Sequence, residues 1–479
     1  MDDKQKNMQN KRAFLAAIIV FLTLVTLLFL ACRNPAGGLP DAGITFTVSF
    51  ETGAGDPIAD MTSAPTVSEL PVPTRVDHVF TGWFKDPLLN GDRVTFPLTL
   101  TSDITVHARW SFGIPVATAA DLDDIRGYLS GHFVQIADID LGVAPWNSGN
   151  GWLPIGTGTN PFTGTFYGNG YSIKNITITG SSSNTGLFGF ADGATLKNIR
   201  MEGGTIATGD TGHRAAGIAG NLRAYSAIVN SYSSVNVSGG GMVGGIAGLV
   251  TGGSTIKNSR SSGNVSGAST NIGGIAGSLE SGSAITGSSS TGNISGTDNN
   301  HVGGIAGRMV DDTSISNSYS TGNISSTASS VGGIVGTITS TNNSVTNNFS
   351  TSNVFAINSH AGGIIGNILA AATATISNNA AINPQVSAVA TTGRVVGNLA
   401  GTATITNNFA YIDMSAPGAA FPSSNTLHNG YNRTMTQFGA QAKFEDAPVD
   451  GFTGGLGWDF ADVWEWCGSG NRPRLQSTP

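Results

Sequence analysis

The chain has 479 residues, enough for two or three domains, and a net charge of −7. Charged residues make up 11% of it, against about 25% in an average soluble protein, and Gly, Ser, Thr and Asn take their place. No Lys/Arg-rich run follows residue 12, which argues against nucleic acid as a partner, because phosphate neutralisation requires clustered cations.

The N-terminus has the pattern of a secretory signal. Four basic residues lie within the first 12 positions, and residues 13–31 are almost wholly apolar. Phe29-Leu30-Ala31-Cys32 resembles a bacterial lipobox, which implies that Cys32 is lipidated. Residues 1–32 are therefore predicted to be a lipoprotein signal peptide and residues 33–43 a tether. An uncleaved transmembrane anchor is the alternative, since 19 apolar residues can span a bilayer.

Both interpretations place the remaining residues outside the cytoplasm, on the bacterial outer membrane or cell surface. In the first, the membrane is a partner through the N-terminal lipid. Only one further cysteine, Cys467, is present, so the sequence contains no disulfide framework.

Residues 44–110 are predicted to form a small β module. Residues 44–50 alternate apolar and polar side chains, and short strands are expected at 79–84 and 104–110. Val48-Ser49-Phe50, Phe80-Thr81-Gly82-Trp83-Phe84 and Val106-His107-Ala108-Arg109-Trp110 resemble the internalin-type B repeat, also called the Listeria–Bacteroides repeat. The resemblance implies a β-grasp-like spacer or interaction module without a catalytic constellation.

A repeat of about 30 residues dominates the rest of the chain. The apolar residue at the second position of Gly-Ile-Ala-Gly and its variants, the last of them a degenerate Arg394-Val-Val-Gly, recurs every 28 to 31 positions: Leu187, Ile218, Ile246, Ile275, Ile305, Ile334, Ile364 and Val395. Apolar residues also recur about every ten positions inside each repeat. This spacing predicts an all-β fold, a parallel β-helix with one three-strand coil per repeat and inward columns of Ile and Val.

Asparagines support this prediction, because Asn tolerates the left-handed conformation that turns require. One column falls two positions after an inward residue and a second falls just before one. The first contains Asn198, Asn230, Asn258, Asn317, Asn347, Asn378 and Asn407; the second contains Asn236, Asn264, Asn293, Asn323 and Asn353.

The repeats resemble the GLUG-motif family of bacterial surface proteins. The stretches Trp152-Leu-Pro-Ile-Gly156 and Gly168-Asn-Gly170 resemble the usual lead-in, and Gly457-Trp-Asp-Phe460 resembles a closing segment. The resemblance implies a lead-in at 111–185, β-helix repeats at 186–412 and a C-terminal cap at 413–479. It says little about the ligand.

Chemistry-bearing residues are sparse. The seven histidines are scattered, no His-Glu-x-x-His motif occurs, and acidic residues are few between Gly186 and Ala410. Asp311 and Asp312 are adjacent and are predicted to lie in a solvent-exposed turn. Asp138 and Asp140 are predicted either to bind a cation or to have a structural role. No catalytic residue, metal site or cofactor is predicted.

Four aromatic residues recur at one place in the repeat: Tyr232, Tyr319, Phe349 and Phe409. They form either an exposed stripe for sugar or protein binding or a packing layer over neighbouring coils. The leading hypothesis is a non-enzymatic, monomeric adhesin that binds a glycan or a host or matrix protein. A passive envelope-structural protein is the second hypothesis. A glycan-active β-helix enzyme is the third.

Overall fold

The structure, a computed structural model, describes residues 44–89, 93–180, 182–268, 271–297, 301–327, 330–417, 421, 429–434, 458–459, 464–467 and 472–475, with the backbone alone for 210–212, 465–467, 472 and 474. The predicted signal peptide, the lipidation site Cys32 and the tether lie outside these residues. Within the described residues, no helix has the length and hydropathy that crossing a membrane requires.

The described chain forms two compact units. The first comprises residues 44–51, 57–71 and 84–107, apart from 90–92; the second comprises 52–56, 72–83 and the residues from 108 onward. In the first unit, Phe46–Glu51 pairs antiparallel with Met61–Ser63 and parallel with Ile104–Phe112. Two further strands of this unit are Thr66–Val67 and Leu98–Thr99. Of the strand His78–Phe84, only Phe84 belongs to this unit.

The second unit is a parallel β-solenoid of about nine turns, which confirms the predicted fold class. Three sheets run along it. Sheet 1 contains Ile114–Val116, His132–Gln135, Thr165–Tyr167, Thr195–Lys197, Ala227–Val229, Thr255–Lys257, Ala284–Thr286, Ser314–Ser316, Asn343–Thr346, Thr373–Ser377 and Thr402–Thr406. Sheet 2 contains Phe188–Asp192, Ala219–Arg223, Ala247–Val250, Ala276–Glu280, Ala306–Val310, Val335–Ile338, Ile365–Ile368 and Val396–Leu399.

Sheet 3 merges several ladders of short strands. It contains Ile139–Asp140, Ser172–Ile178, Asn184–Thr185, Arg200–Ala216, Tyr232–Ser233, Asn236–Gly244, Arg260–Ser261, Val265–Gly267, Asn271–Gly273, Ser289–Ser290, Ile294–Gly296, His301–Gly303, Tyr319–Ser320, Ile324–Ser326, Val331–Gly332, Phe349–Ser350, Val354–Ala356, His360–Gly362, Ala380–Ala381, Val386–Ala388, Thr391–Gly393, Phe409–Tyr411 and Tyr431–Arg433. A typical coil thus has five short strands distributed over three sheets, whereas the spacing predicted three strands per coil; the strands of sheet 3 are interrupted twice within each coil.

The predicted inward columns form the core. All eight apolar residues of the Gly-Ile-Ala-Gly repeat have no exposed surface. Glycine beside them is required by close approach of the coils: a Cβ on Gly304 would lie 2.0 Å from the carbonyl oxygen of Gly333. The same Cβ would also lie 2.5 Å from Cβ and Oγ of Ser320, so no space remains for a side chain.

The first asparagine column turns the chain at the corner after sheet 1. All seven of its asparagines have φ between 50° and 59°, as predicted. In the one coil that lacks an asparagine there, Gly287 takes the same conformation with φ 61°. The corner therefore selects residues that tolerate the left-handed region.

A buried polar ladder lies one residue after this corner. Its members are Ser231, Ser259, Ser288, Ser318, Asn348, Asn379 and Asn408. From Ser231 to Asn379, each backbone N–H donates to the side-chain oxygen of the next coil at 2.9–3.2 Å. The ladder satisfies donors that would otherwise be buried without partners.

Each end of the solenoid has its own closure. At the N-terminal end, helix Ala119–Asp124 begins with a capping box between Thr118 and Asp121 and continues into the 3-10 helix Ile125–Gly127. Leu122 and Ile125 are fully buried in the solenoid core. At the other end, Tyr431–Arg433 adds to Phe409–Tyr411. Trp464–Cys467 and Arg472–Leu475 form an antiparallel pair.

Candidate functional site

The predicted aromatic residues belong to one column of sheet 3, here called the outer column. Strand pairing sets its members in register from coil to coil: Arg200, Tyr232, Arg260, Ser289, Tyr319, Phe349, Ala380, Phe409 and Tyr431. Neighbouring members lie one strand spacing apart, about 4.8 Å. The column therefore presents a row of side chains parallel to the solenoid axis.

The C-terminal half of the outer column is covered by two tryptophans from the chain's own C-terminal region. Trp464 is fully buried, and its ring centroid lies 5.7 Å from that of Phe349. Trp458 stacks on Trp464 at 4.6 Å, and its Nε1 donates to the carbonyl oxygen of Asn378 at 2.9 Å. These two tryptophans of the predicted cap thus pack along the side of the solenoid.

The four predicted stripe residues differ in accessibility. Tyr319 and Phe349 stack at 4.8 Å, but Phe349 and Phe409 retain only 2% of their surface, and Phe409 also lies under the guanidinium of Arg433. Tyr232 and Tyr319 are half-buried. Arg260 and Ser289 separate these two tyrosines along the column. In this conformation Phe349 and Phe409 pack over neighbouring coils, while Tyr232 stays on the uncovered half.

Around Tyr232 the column is open and polar. The Arg200 guanidinium lies 5.1 Å from the Tyr232 ring centroid, and its Nε donates to Glu202 Oε1 at 2.5 Å. The Tyr232 hydroxyl is 2.7 Å from Ser262 Oγ. Arg260, the next member of the column, is exposed. These contacts hold the tyrosine ring in place and leave cationic groups beside it.

The acidic residues singled out in the sequence have protein partners. Asp138 accepts from Lys174 Nζ at 2.7 Å and from the Ser172 amide at 2.9 Å; these hydrogen bonds lower the pKa of its carboxyl, with the Lys174 bond the larger cause. Asp140 accepts from Asn175 and from the Gly142 amide. In the other pair, Asp311 accepts from Ser340 and Asp312 from Asn342. All four carboxylates thus serve local structure.

Sequence reasoning missed one cluster of titratable groups, which lies between sheet 2 and the adjoining strand His301–Gly303. Glu280 Oε1 accepts from Ser278 Oγ at 2.7 Å and from Arg308 at 2.6 Å. His301 Nδ1 lies 2.9 Å from Thr337 Oγ1. Burial, together with the charge of Arg308, lowers the pKa of His301 to about 4. No sequence motif marks these residues, because they come from three separate coils.

Two further features bear on binding chemistry. Across the described ranges, no group of three or more His, Cys, Asp or Glu side chains is placed to hold a metal ion. A neutral groove of about 340 Å³ lies on sheet 1, lined by Ser344, Thr373, Thr375, Thr402 and Thr404 among others. This groove gives the solenoid a second face on which a ligand can be tested.

Two family models match parts of the chain. Residues 46–109 match the Listeria–Bacteroides repeat domain, and residues 298–325 match the GLUG motif. Both resemblances drawn from the sequence are thereby confirmed for these segments. Most of the chain lies outside either match.

Similarity to individual proteins is partial. A provisionally named Gly-rich membrane protein from Evansella cellulosilytica is 44% identical over 77 residues, which is 15% of this chain and 9% of that relative's length. A crystal structure of a provisionally named immunoglobulin A1 protease from Bacteroides ovatus has a TM-score of 0.41 at 20% identity, covering 76% of this chain and 92% of that one. A structure named IgA1 protease has a TM-score of 0.40 at 14% identity, covering 84% of this chain and 30% of that one.

Proposed function

We propose that this chain is a lipid-anchored protein of the bacterial cell surface whose solenoid binds an extended ligand along the open half of the outer column. The lipobox-like residues ending at Cys32 support the anchor. The Listeria–Bacteroides repeat and the relative named as a membrane protein support a place in the cell envelope. The chain would act as a monomer, with the membrane as one partner and a glycan or matrix protein as the other.

The observation that carries the binding proposal is the contrast between the two halves of the outer column. Trp458 and Trp464 cover Phe349 in one half, whereas Tyr232 in the other half keeps part of its surface and has exposed Arg200 and Arg260 as neighbours. A half-buried tyrosine combines a fixed ring with an accessible edge, which is common in recognition sites. A rigid row of such side chains suits an elongated ligand.

The proposal is binding without catalysis. Glu280 and Arg308 pair with each other, and His301 is next to Thr337. The titratable groups of this cluster therefore bond to neighbouring side chains of the solenoid itself. The ion pair between Glu280 and Arg308 and the hydrogen bond between His301 and Thr337 support a structural role for the cluster.

A binding panel tests the function. The full-length chain, kept in detergent micelles, is measured against immobilised glycans and matrix proteins beside Tyr232→Ala and Tyr225→Ala. Tyr225 is 84% exposed and lies outside the outer column, so it is the matched control. We expect the unaltered chain and Tyr225→Ala to bind a panel member saturably, and Tyr232→Ala to lose this binding.

A third variant separates the two faces of the solenoid. Thr375→Ala with Thr404→Ala alters the neutral groove on sheet 1 and leaves the outer column unchanged. Loss of binding in this variant alone would move the site to sheet 1 and contradict the proposal. Absence of binding to every panel member would favour a passive structural role, and turnover of a glycan would favour the enzyme alternative.

A further inference from the structure

Four cationic residues flank one corner of the solenoid on two coils, although no basic run marks them in the sequence. Lys197 and Arg200 lie on either side of Asn198, and Lys257 and Arg260 lie on either side of Asn258 two coils away. The left-handed asparagine turns the chain between the two cations of each pair. These four residues, with Tyr232 on the coil between them, are called the cationic corner.

Two of the four cations are available to a ligand. Lys257 and Arg260 are exposed, and neither makes an ion pair or side-chain hydrogen bond with any residue that the structure describes. Lys197 lies over the Tyr167 ring at 5.2 Å, and Arg200 pairs with Glu202. The corner thus carries four cations in a chain whose net charge is −7. Two carboxylates lie near Arg200: Glu202 pairs with it, and Asp138, the partner of Lys174, is close enough to interact with its charge.

Other described cations of the solenoid repeats are engaged elsewhere. Arg223 pairs with Asp192 at 2.7 Å, Arg308 pairs with Glu280 at 2.6 Å, and Arg394 is largely buried. Lys197, Lys257 and Arg260, which are exposed and have no carboxylate partner among the described residues, therefore lie around Tyr232. An uncompensated exposed cluster attracts an anionic ligand.

The strand register fixes the spacing of this charge. Lys197 pairs with Val229 and Val229 with Lys257, so equivalent cations lie two strand spacings apart, on the order of 10 Å. Arg200 and Arg260 repeat this spacing on the other side of the corner, with Tyr232 between them. An extended polysaccharide with one carboxylate per disaccharide presents its charges at a comparable interval and a sugar ring between them.

We propose that the cationic corner binds a linear acidic polysaccharide that carries one carboxylate per disaccharide. Lys257 and Arg260 meet one carboxylate, Lys197 and Arg200 meet the next, and the intervening sugar packs against Tyr232. Arginine suits this role because its planar group donates two parallel hydrogen bonds to a carboxylate. The inference rests on the proposed binding function and names the ligand class for the same site.

Hyaluronan oligosaccharide is the test ligand, and its carboxyl-reduced form is the neutral control with the same backbone. Affinity for the full-length chain in detergent micelles is measured by calorimetry at low and at high salt. We expect hyaluronan to bind and the reduced form to bind at least about fivefold more weakly, because each exposed ion pair contributes little on its own. High salt should reduce the affinity difference between the two ligands, because salt screens exposed charges.

Charge variants assign the effect to the corner. Lys257→Gln with Arg260→Gln is expected to lower hyaluronan affinity about fivefold or more. Lys85→Gln with Arg223→Gln removes the same charge from exposed residues elsewhere and is expected to bind like the parent. Lys257→Arg with Arg260→Lys keeps the charge and is expected to retain most of the affinity.

Three results would overturn the inference. The first is equal affinity for hyaluronan and its reduced form. The second is equal loss in the corner variant and in the charge-matched control. The third is tighter binding of a single-stranded DNA oligonucleotide of equal charge, which would indicate recognition of charge without the sugar. If the reduced form binds as tightly as hyaluronan and Tyr232→Ala abolishes binding of both, the proposed function stands and only the acidic ligand class is excluded.

Discussion

Replacing Asn379 with alanine tests whether the buried polar ladder holds neighbouring coils together. Asn379 is fully buried, and its Oδ1 accepts from both the backbone amide and the side chain of Asn348, at 3.0 and 3.1 Å. Its Nδ2 donates to Val345 O at 2.8 Å and to Asn408 Oδ1 at 2.9 Å. The side chain thus makes four hydrogen bonds to three residues in two neighbouring coils.

The expected magnitude follows from these four bonds. Alanine removes all of them and leaves the buried Asn348 amide without its acceptor. A net contribution of about 1 kcal/mol per hydrogen bond, with a larger cost for the orphaned donor, gives a loss of about 3–5 kcal/mol in unfolding free energy. Asn379→Ser should lose less unfolding free energy. At the equivalent position of other coils, the hydroxyl oxygens of Ser259, Ser288 and Ser318 accept the same hydrogen bond.

Urea unfolding followed by circular dichroism measures the loss, and amide hydrogen exchange locates it in the coils around residue 379. Ser377→Ala is the matched control, because Ser377 lies two residues earlier and its hydroxyl bonds no described residue. It should change stability by no more than about 0.5 kcal/mol. A loss below about 1 kcal/mol for Asn379→Ala, or equal losses for the Ala and Ser variants, would refute the reasoning.

Three other predictions concern the pH response, the C-terminal region and the anchor. The pKa of His301 is lowered from 6.5 to about 4, so its contribution to stability is complete above pH 6.5 and is lost as the pH falls towards 4, by at most about 3 kcal/mol; His301→Gln should flatten this part of the stability–pH curve. An unchanged curve in that variant would contradict the assignment. Trp464→Ala should uncover Phe349 and lower the melting temperature by several degrees, because a buried aromatic side chain is lost; unaltered melting would show that the packing adds no stability. Cys32→Ser should abolish incorporation of labelled fatty acid in whole cells, whereas persistent labelling would reject Cys32 as the lipidation site.

Repetition explains what the sequence could predict. The column from Leu187 to Val395 encodes its own period, and each member meets the same neighbours in the next coil. The corner asparagines follow the same logic, because their backbone conformation depends on one residue and its turn. Fold class and coil length were therefore readable from spacing alone.

Contacts that occur only once in the fold could not be predicted from the sequence. Trp458 and Trp464 lie more than a hundred residues from Phe349 in sequence, and no pattern links them to the outer column. The burial of Phe349 depends on that contact. Likewise, Lys197 and Lys257 are 60 positions apart in sequence, and only the coiling of the chain places them two strand spacings apart in one sheet. Long-range contacts without a repeated signature require the structure.

The most direct test of the binding face is the protection of one engineered thiol by ligand. Ser262→Cys, in a Cys32→Ser and Cys467→Ser background of the full-length chain, places a single thiol beside the Tyr232 hydroxyl without removing the ring. Tyr225→Cys in the same background provides the exposed control outside the column. Maleimide labelling rates are compared with and without saturating hyaluronan oligosaccharide. We expect slower labelling at position 262 and an unchanged rate at 225. An unchanged rate at 262, or equal slowing at both positions, would contradict binding along the outer column.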